Sequence, residues 1–229
     1  MEIQFVLFCL AGGIVFVDGE AFGQFMISQP LVAGAVAGLI FGNWMAGCTV
    51  GLLMQLPYLA EIPMGGTKVS LGGIGAYCAA GIAASFSGDG QFVLPFSLAV
   101  GILVSWVAIP VQNQLRSINL RLARNADAAA AEGNLARISQ LQYLAALVAF
   151  AAGALTSGFV VQIAGVIWRG LLAPLDLPLS FDRNDLLQSL LLGAGAGAVI
   201  WLFVNRQTLR YGVAGAGLGV IYLILNFIA

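Results

Sequence analysis

The sequence contains no histidine. That absence excludes an imidazole proton relay, a histidine-dependent triad and a phosphohistidine intermediate on this chain, so any phosphoryl chemistry has to take place on another molecule. Charge is scarce as well: 8% of the 229 residues are Asp, Glu, Lys or Arg, where soluble domains carry roughly a quarter. The net charge of -1 leaves no basic surface for nucleic acid, and no basic run is interleaved with aromatic residues. Cysteine is limited to Cys9, Cys48 and Cys78, each inside an apolar segment and none at ligand spacing. This argues against a disulfide framework or a metal site and for three small hydrophobic side chains. The first 17 residues lack the basic flank of a signal peptide, Glu2 being their only charge, and read as an uncleaved first membrane segment.

What the chain does have is hydrophobicity, at 60% of residues. A bilayer span needs about 20 apolar residues, and several fit. The expected fold is all-α, a polytopic integral membrane protein with re-entrant or half-membrane helices near the N-terminal half. Residues 1–17 are barely long enough to span and end at Asp18. Residues 31–42 carry Gly34, Gly38 and Gly42 four apart on one helical face, and residues 44–59 repeat the spacing with Gly47 and Gly51; such faces let a second backbone approach closely. Neither segment is a comfortable span and only Gly42 and Asn43 separate them. This predicts a hairpin dipping into the bilayer, buried against protein or a watery cavity. Residues 69–86 are rich in small residues, and residues 91–111 form a clearer span with Trp106 as an interfacial anchor.

Residues 112–140 are the one long polar segment and hold Arg116, Arg121, Arg124 and Arg137, which the bias of basic residues toward the inner side places in the cytoplasm. Leu115, Ile118, Leu122, Leu135 and Ile138 recur at helical spacing there, predicting helices that lie near the membrane surface or dock a partner. Residues 141–168 then run outward, residues 169–185 connect outside, residues 186–204 return to put Arg206 and Arg210 inside, and residues 212–229 run outward again. Three parts follow: a membrane part with the hairpin and a solute site over residues 1–112, a cytoplasmic amphipathic connection over residues 113–140, and C-terminal membrane helices over residues 141–229.

Hydrophobicity is most heavily interrupted over residues 18–66, where Asp18 and Glu20 precede GQFMISQP and the stretch closes with LPYLAEIPMGG. Membrane segments broken by Pro, Gly and single polar groups are where solute sites are built.

Two stretches resemble a known family. GQFMISQPLVAGAVAGLIFGN (residues 23–43) continues into GLLMQLPYLAEIPMGG (residues 51–66), and INLRLARNADAAAAEGNLARISQLQ follows at residues 118–142. In order and separation both look like the membrane subunit IIC of the mannose/fructose/sorbose family of the bacterial phosphoenolpyruvate-dependent sugar phosphotransferase system. The resemblance implies a transport subunit of the bacterial cytoplasmic membrane that is not itself an enzyme and carries no cofactor. It further implies a second membrane subunit, IID, soluble IIA and IIB phosphocarriers, heterodimers grouped into trimers, and a hexose bound outside and phosphorylated by IIB as it is released inside. The chain departs from the family's pattern at three places. Gln29 stands where relatives have Arg, Gln55 where they have a carboxylate, and residues 67–73 (TKVSLGG) replace a Pro-Pro-Asp segment.

A sugar offers hydroxyls that both donate and accept, so its pocket needs amides and carboxylates, often with an aromatic face. The candidates are Gln24, Ser28, Gln29, Gln55, Tyr58, Glu61 and Lys68, all beside Gly or Pro breaks. Each has a plainer reading. Gln24 and Ser28 are spaced to cap the helix beginning near Pro30, Gln29 to sit at the interface, Gln55 to join two helices, and Glu61 and Lys68 to pair with each other. Asp18 and Glu20 read as loop charges, Asp18 being the better placed to face a cavity. Two other functions stay open: a secondary transporter coupled to an ion through Glu61, and a non-transporting receptor or assembly subunit of the same fold.

Overall fold

The computed structural model describes residues 2–58, 71–87, 92–172 and Gly193. Glu61, Lys68, most of the expected outer connection and the two C-terminal spans expected over residues 186–204 and 212–229 lie outside the described residues.

Six α-helices form the described part, and no strand occurs among its residues. The first, α1 (Glu2–Glu20), is 19 residues long, about 28 Å at 1.5 Å per residue, close to the thickness of the hydrocarbon layer. It runs past Val17, so Asp18 is no loop charge: it lies in the last helical turn and is buried, 3% exposed. The next two, α2 (Pro30–Ile40) and α3 (Trp44–Tyr58), have 11 and 15 residues. At about 17 and 23 Å they are too short to cross. Pro30 starts α2, where its missing N–H costs nothing. Gly42 reverses the chain at φ +80°, a conformation favouring glycine. Asn43 then starts α3, its Oδ1 accepting from the Ala46 N–H at 3.1 Å.

The two short helices meet backbone to backbone. A Cβ on Gly47 would collide with the Gly34 carbonyl and the Gly38 backbone, and one on Gly51 with the Pro30 carbonyl. The four-residue glycine spacing therefore produces the tight antiparallel hairpin expected of it. Its closed end packs on α1, where the Phe41 and Phe8 rings lie 5.2 Å apart.

The helix α4 (Gly72–Ser85) occupies the centre, with every residue from Ile74 to Ala84 buried. A helix that is apolar all round and only 14 residues long is stable where neighbours cover all its faces. Those neighbours are all five other helices. Glycine again sets the approach: Gly75 faces Ser105, Gly81 faces the Phe8 ring, and Tyr77 stacks on Phe8 with its hydroxyl donating to the Phe8 carbonyl at 2.7 Å.

Two long helices complete the described bundle, α5 (Val93–Ala131) with 39 residues and α6 (Leu135–Ile167) with 33. Here the fold differs from expectation. The polar residues 112–140 do not form helices separate from the long apolar ones; they extend α5 and α6, which meet at a turn around Gly133 (φ +70°). Asn134 caps α6 by accepting from the Arg137 N–H at 3.1 Å. The α5 pattern continues without Gly or Pro from Val111 to Ala131, so nothing in the chain breaks the helix at the membrane edge. A π-helical turn, Trp168–Leu172, follows α6, and Trp168 packs against the Phe86 and Phe96 rings.

Among the described residues, α1, α5 and α6 with its π-helical turn are long and apolar enough to cross a membrane. Their outward faces are apolar, with Ile3, Leu7 and Ile14 on α1, Leu103, Trp106 and Val107 on α5, and Leu155, Phe159 and Val166 on α6 exposed. Lipid contact requires such faces.

Candidate functional site

Asp18, Glu20, Gln24, Ser28, Gln29, Gln55 and Gln112 gather at one end of the bundle. There the C-terminus of α1, residues 21–29, the N-terminus of α2, the C-terminus of α3 and the N-terminus of α4 converge beside the middle of α5. Asp18 organises the connecting loop. Its Oδ1 accepts from the Phe25 N–H at 2.5 Å and its Oδ2 from the Ser28 N–H at 2.8 Å. The loop so held has Gly23, Gln24 and Met26 at φ +102°, +50° and +68°. For Gln24 and Met26 this left-handed backbone costs on the order of 1–3 kcal/mol each. Hydrogen bonds to a charged acceptor contribute about 1.5–3 kcal/mol each, so the two bonds to Asp18 are of the size needed to hold it.

The candidate residues fall into distinct places. Gln24 lies on the loop, exposed. Ser28 follows at its end, with its carbonyl so close to Gly73 that any Cβ there would collide. Gln29 is the residue before α2, and its side chain makes no capping bond. Neither Gln24 nor Ser28 caps α2 through its side chain, as their spacing allowed: Gln55 reaches across from α3, and its Oε1 accepts from the Leu31 N–H at 3.1 Å. Gln55 thus satisfies one of the free N–H groups of the first turn of α2 and joins the two short helices at their open end. Tyr58 lies against Gly72, at the entry to α4. Ser28, Gln55 and Tyr58 are therefore brought together through the start of α2 and the start of α4, with Gln24 and Gln29 on the loop beside them. Glu61 and Lys68 lie outside the described residues.

Two contributors escaped sequence reasoning. One is Asp18 in its buried, anchoring position. The other is Gln112 of α5, 3% exposed, whose Nε2 donates to Glu20 Oε2 at the end of α1. Gln112 opens the polar stretch of α5, and a single amide on the buried face defined by Leu98, Ser105, Ala108 and Leu115 is the signal that could have found it.

The geometry is that of a polytopic all-α membrane protein: the short helices α2 and α3 pack on the buried α4 beside the spanning helices and turn their open ends and polar groups toward one region. The family model for the sorbose-specific IIC component of the phosphotransferase system matches residues 2–171, and the chain belongs to that family. Solved structures with a similar fold include one described as a membrane protein, at 17% identity and a TM-score of 0.74, covering 100% of this chain and 95% of that one. Another is a cryo-EM structure of the mannose transporter ManYZ in complex with a microcin, at 18% identity and a TM-score of 0.61, covering 97% of this chain and 95% of that one. No curated protein sequence gives a significant match. As a IIC component the chain is a membrane transport subunit and is not itself catalytic.

Proposed function

We propose that this IIC subunit binds a hexose or related sugar outside and hands it to a phosphocarrier inside, with Gln24, Ser28, Gln29, Gln55, Tyr58, Glu61 and Lys68 supplying the polar groups of the sugar site. The observation that carries the reading is the convergence of Ser28, Gln55 and Tyr58 on the starts of α2 and α4, within a family of sugar-specific membrane components. Sugar hydroxyls are met there by amide and hydroxyl groups on backbone held by glycine contacts. A second membrane subunit, IID, completes the unit, as the two-part name of the similar mannose transporter ManYZ supports; soluble IIA and IIB carry the phosphoryl group, and the pairs group into trimers in the bacterial cytoplasmic membrane. The three parts of the chain divide the work, residues 1–112 holding the sugar, residues 113–140 facing the cytoplasm and residues 141–229 completing the membrane scaffold.

Two of the departures from the family pattern meet at the start of α2, where Gln29 precedes the helix and Gln55 reaches across from α3; of the substituted segment the described end, Gly72 and Gly73, abuts Tyr58 and Ser28. Gln55 keeps the oxygen that accepts from Leu31 while lacking a carboxylate's charge, which favours a substrate differing from mannose in the hydroxyls it presents. The loop and the arginine-bearing extension of α5 share one end of the bundle, as the Glu20–Gln112 contact shows. With that extension assigned to the cytoplasm by its arginines, we take the loop to lie on the release side.

The test is uptake of labelled mannose, fructose, sorbose and amino sugars by cells carrying this chain, IID and the phosphocarriers, each omitted in turn. Uptake of one sugar that requires phosphoenolpyruvate, IID and IIB supports the reading. Accumulation that survives without any phosphocarrier overturns the coupled mechanism.

A further inference from the structure

We infer that Asp18 is the positioning residue of the sugar loop, setting the presentation of Gln24 and Ser28 without touching the sugar itself; this rests on the sugar-site reading above. A buried carboxylate in the last turn of a membrane helix is doubly unfavourable, through loss of hydration and through its place at the negative end of the helix dipole. It is retained where backbone donors replace water. Both oxygens are used: Oδ1 takes the Phe25 N–H and Oδ2 the Ser28 N–H, and the Ser28 hydroxyl also donates to the carboxylate, so Asp18 holds that side chain directly. The segment they hold leads directly into the N-terminus of α2, whose free N–H groups favour a nearby anion.

The consequence for the loop is specific. Gly23, Gln24 and Met26 have positive φ, and no regular hydrogen-bond ladder holds such a run in place. Asp18 bridges it from a rigid helix, fixing the chain on either side of Met26 and placing the Ser28 carbonyl against Gly73 of α4. Phe22, Phe25 and Met26 are exposed and Ile27 packs against the core, so the carboxylate and Ile27 together order the loop.

The experiment compares the full membrane complex with Asp18→Ala and Asp18→Asn, reading amide hydrogen exchange over residues 21–29 and α1 together with sugar uptake kinetics. Asp18→Ala is expected to lose exchange protection at the Phe25 and Ser28 amides while α1 and assembly stay intact. Its KM for sugar should rise by about tenfold with the maximal rate unchanged, the size expected for loss of one well-placed hydrogen bond. Asp18→Asn keeps one carbonyl oxygen and should fall between wild type and Asp18→Ala on both readouts. An unchanged KM in an assembled Asp18→Ala complex overturns the inference, as does loss of protection spreading through α1 or a fall in maximal rate alone. If the wild-type complex takes up no sugar, the sugar-site reading fails on that result. The exchange comparison still decides the role of Asp18, because unaltered protection at Phe25 and Ser28 in Asp18→Ala overturns it.

Discussion

In the α2–α3 hairpin the backbones touch through Gly34, Gly38, Gly47 and Gly51. In the polar half of the α5–α6 hairpin, by contrast, the inward residues are Leu115, Leu122, Ala129, Ile138 and Leu141 with Asn119 among them, and the arginines lie outside. The two solutions answer two solvents. Lipid tails are as apolar as leucine, so a hairpin inside a bilayer gains little by hiding leucine and associates through close van der Waals approach, which small residues permit. A hairpin with the polar outer face of residues 112–140 recovers the hydrophobic driving force wherever water reaches it and closes on a largely apolar seam.

Gly47→Leu should break this comparison most severely. Its added atoms have no space against Gly34 and Gly38, so the hairpin cannot close, and no assembled complex is expected on size-exclusion chromatography after membrane extraction. Gln55→Leu comes next. Removing the acceptor of the Leu31 N–H should cost about 1–2 kcal/mol and lower the melting temperature of the complex, whereas Gln55→Glu, which keeps the oxygen, should retain most of that stability. Sugar affinity measured on Gln55→Glu then separates the cap from the site: unchanged binding removes the Gln55 amide from the list of sugar contacts. Tyr77→Phe leaves the ring stack on Phe8 in place and deletes one 2.7 Å bond to its carbonyl. A loss of about 1 kcal/mol in a denaturation series is expected. Leu120→Gln, on the exposed side of the polar half of the α5–α6 hairpin, should change stability by no more than about 0.5 kcal/mol. A larger loss in the assembled complex than in the isolated chain would sharpen the comparison by showing that a partner covers that face.

The same contrast explains what was legible in the sequence. Glycine repeated every fourth residue on segments too short to span admits few arrangements, so the α2–α3 hairpin and its packed face could be read directly, as could the turn at Gly42 and Asn43. The long reach of α5 and α6 could not. Leucine at helical spacing among arginines fits a separate helix as well as one that continues a span, and only the unbroken run from Val111 to Ala131 distinguishes them. At the site, Gln55 is singled out because a lone amide in an apolar run needs a partner; that the partner is the Leu31 N–H, 24 positions earlier in the chain, depends on the register of the two helices. Asp18 was misplaced because a carboxylate after an apolar run usually marks its end. Here α1 continues one turn further, and the backbone donors that make its burial tolerable come from seven and ten residues later.

The turn at Gly133 has a use of its own. From Gln112 to Ala131 the α5 rod extends about 28 Å beyond the Glu20 contact, and a Cβ placed on Gly133 would meet nothing within 4 Å. A stiff rod of that length is a lever: a tilt of about 10° at its base carries the tip through roughly 5 Å. A probe attached at the neighbouring exposed Glu132, where φ is −84°, would therefore magnify angular movements of the bundle into distances that paired spin labels resolve, without placing foreign atoms near the polar end of the membrane helices.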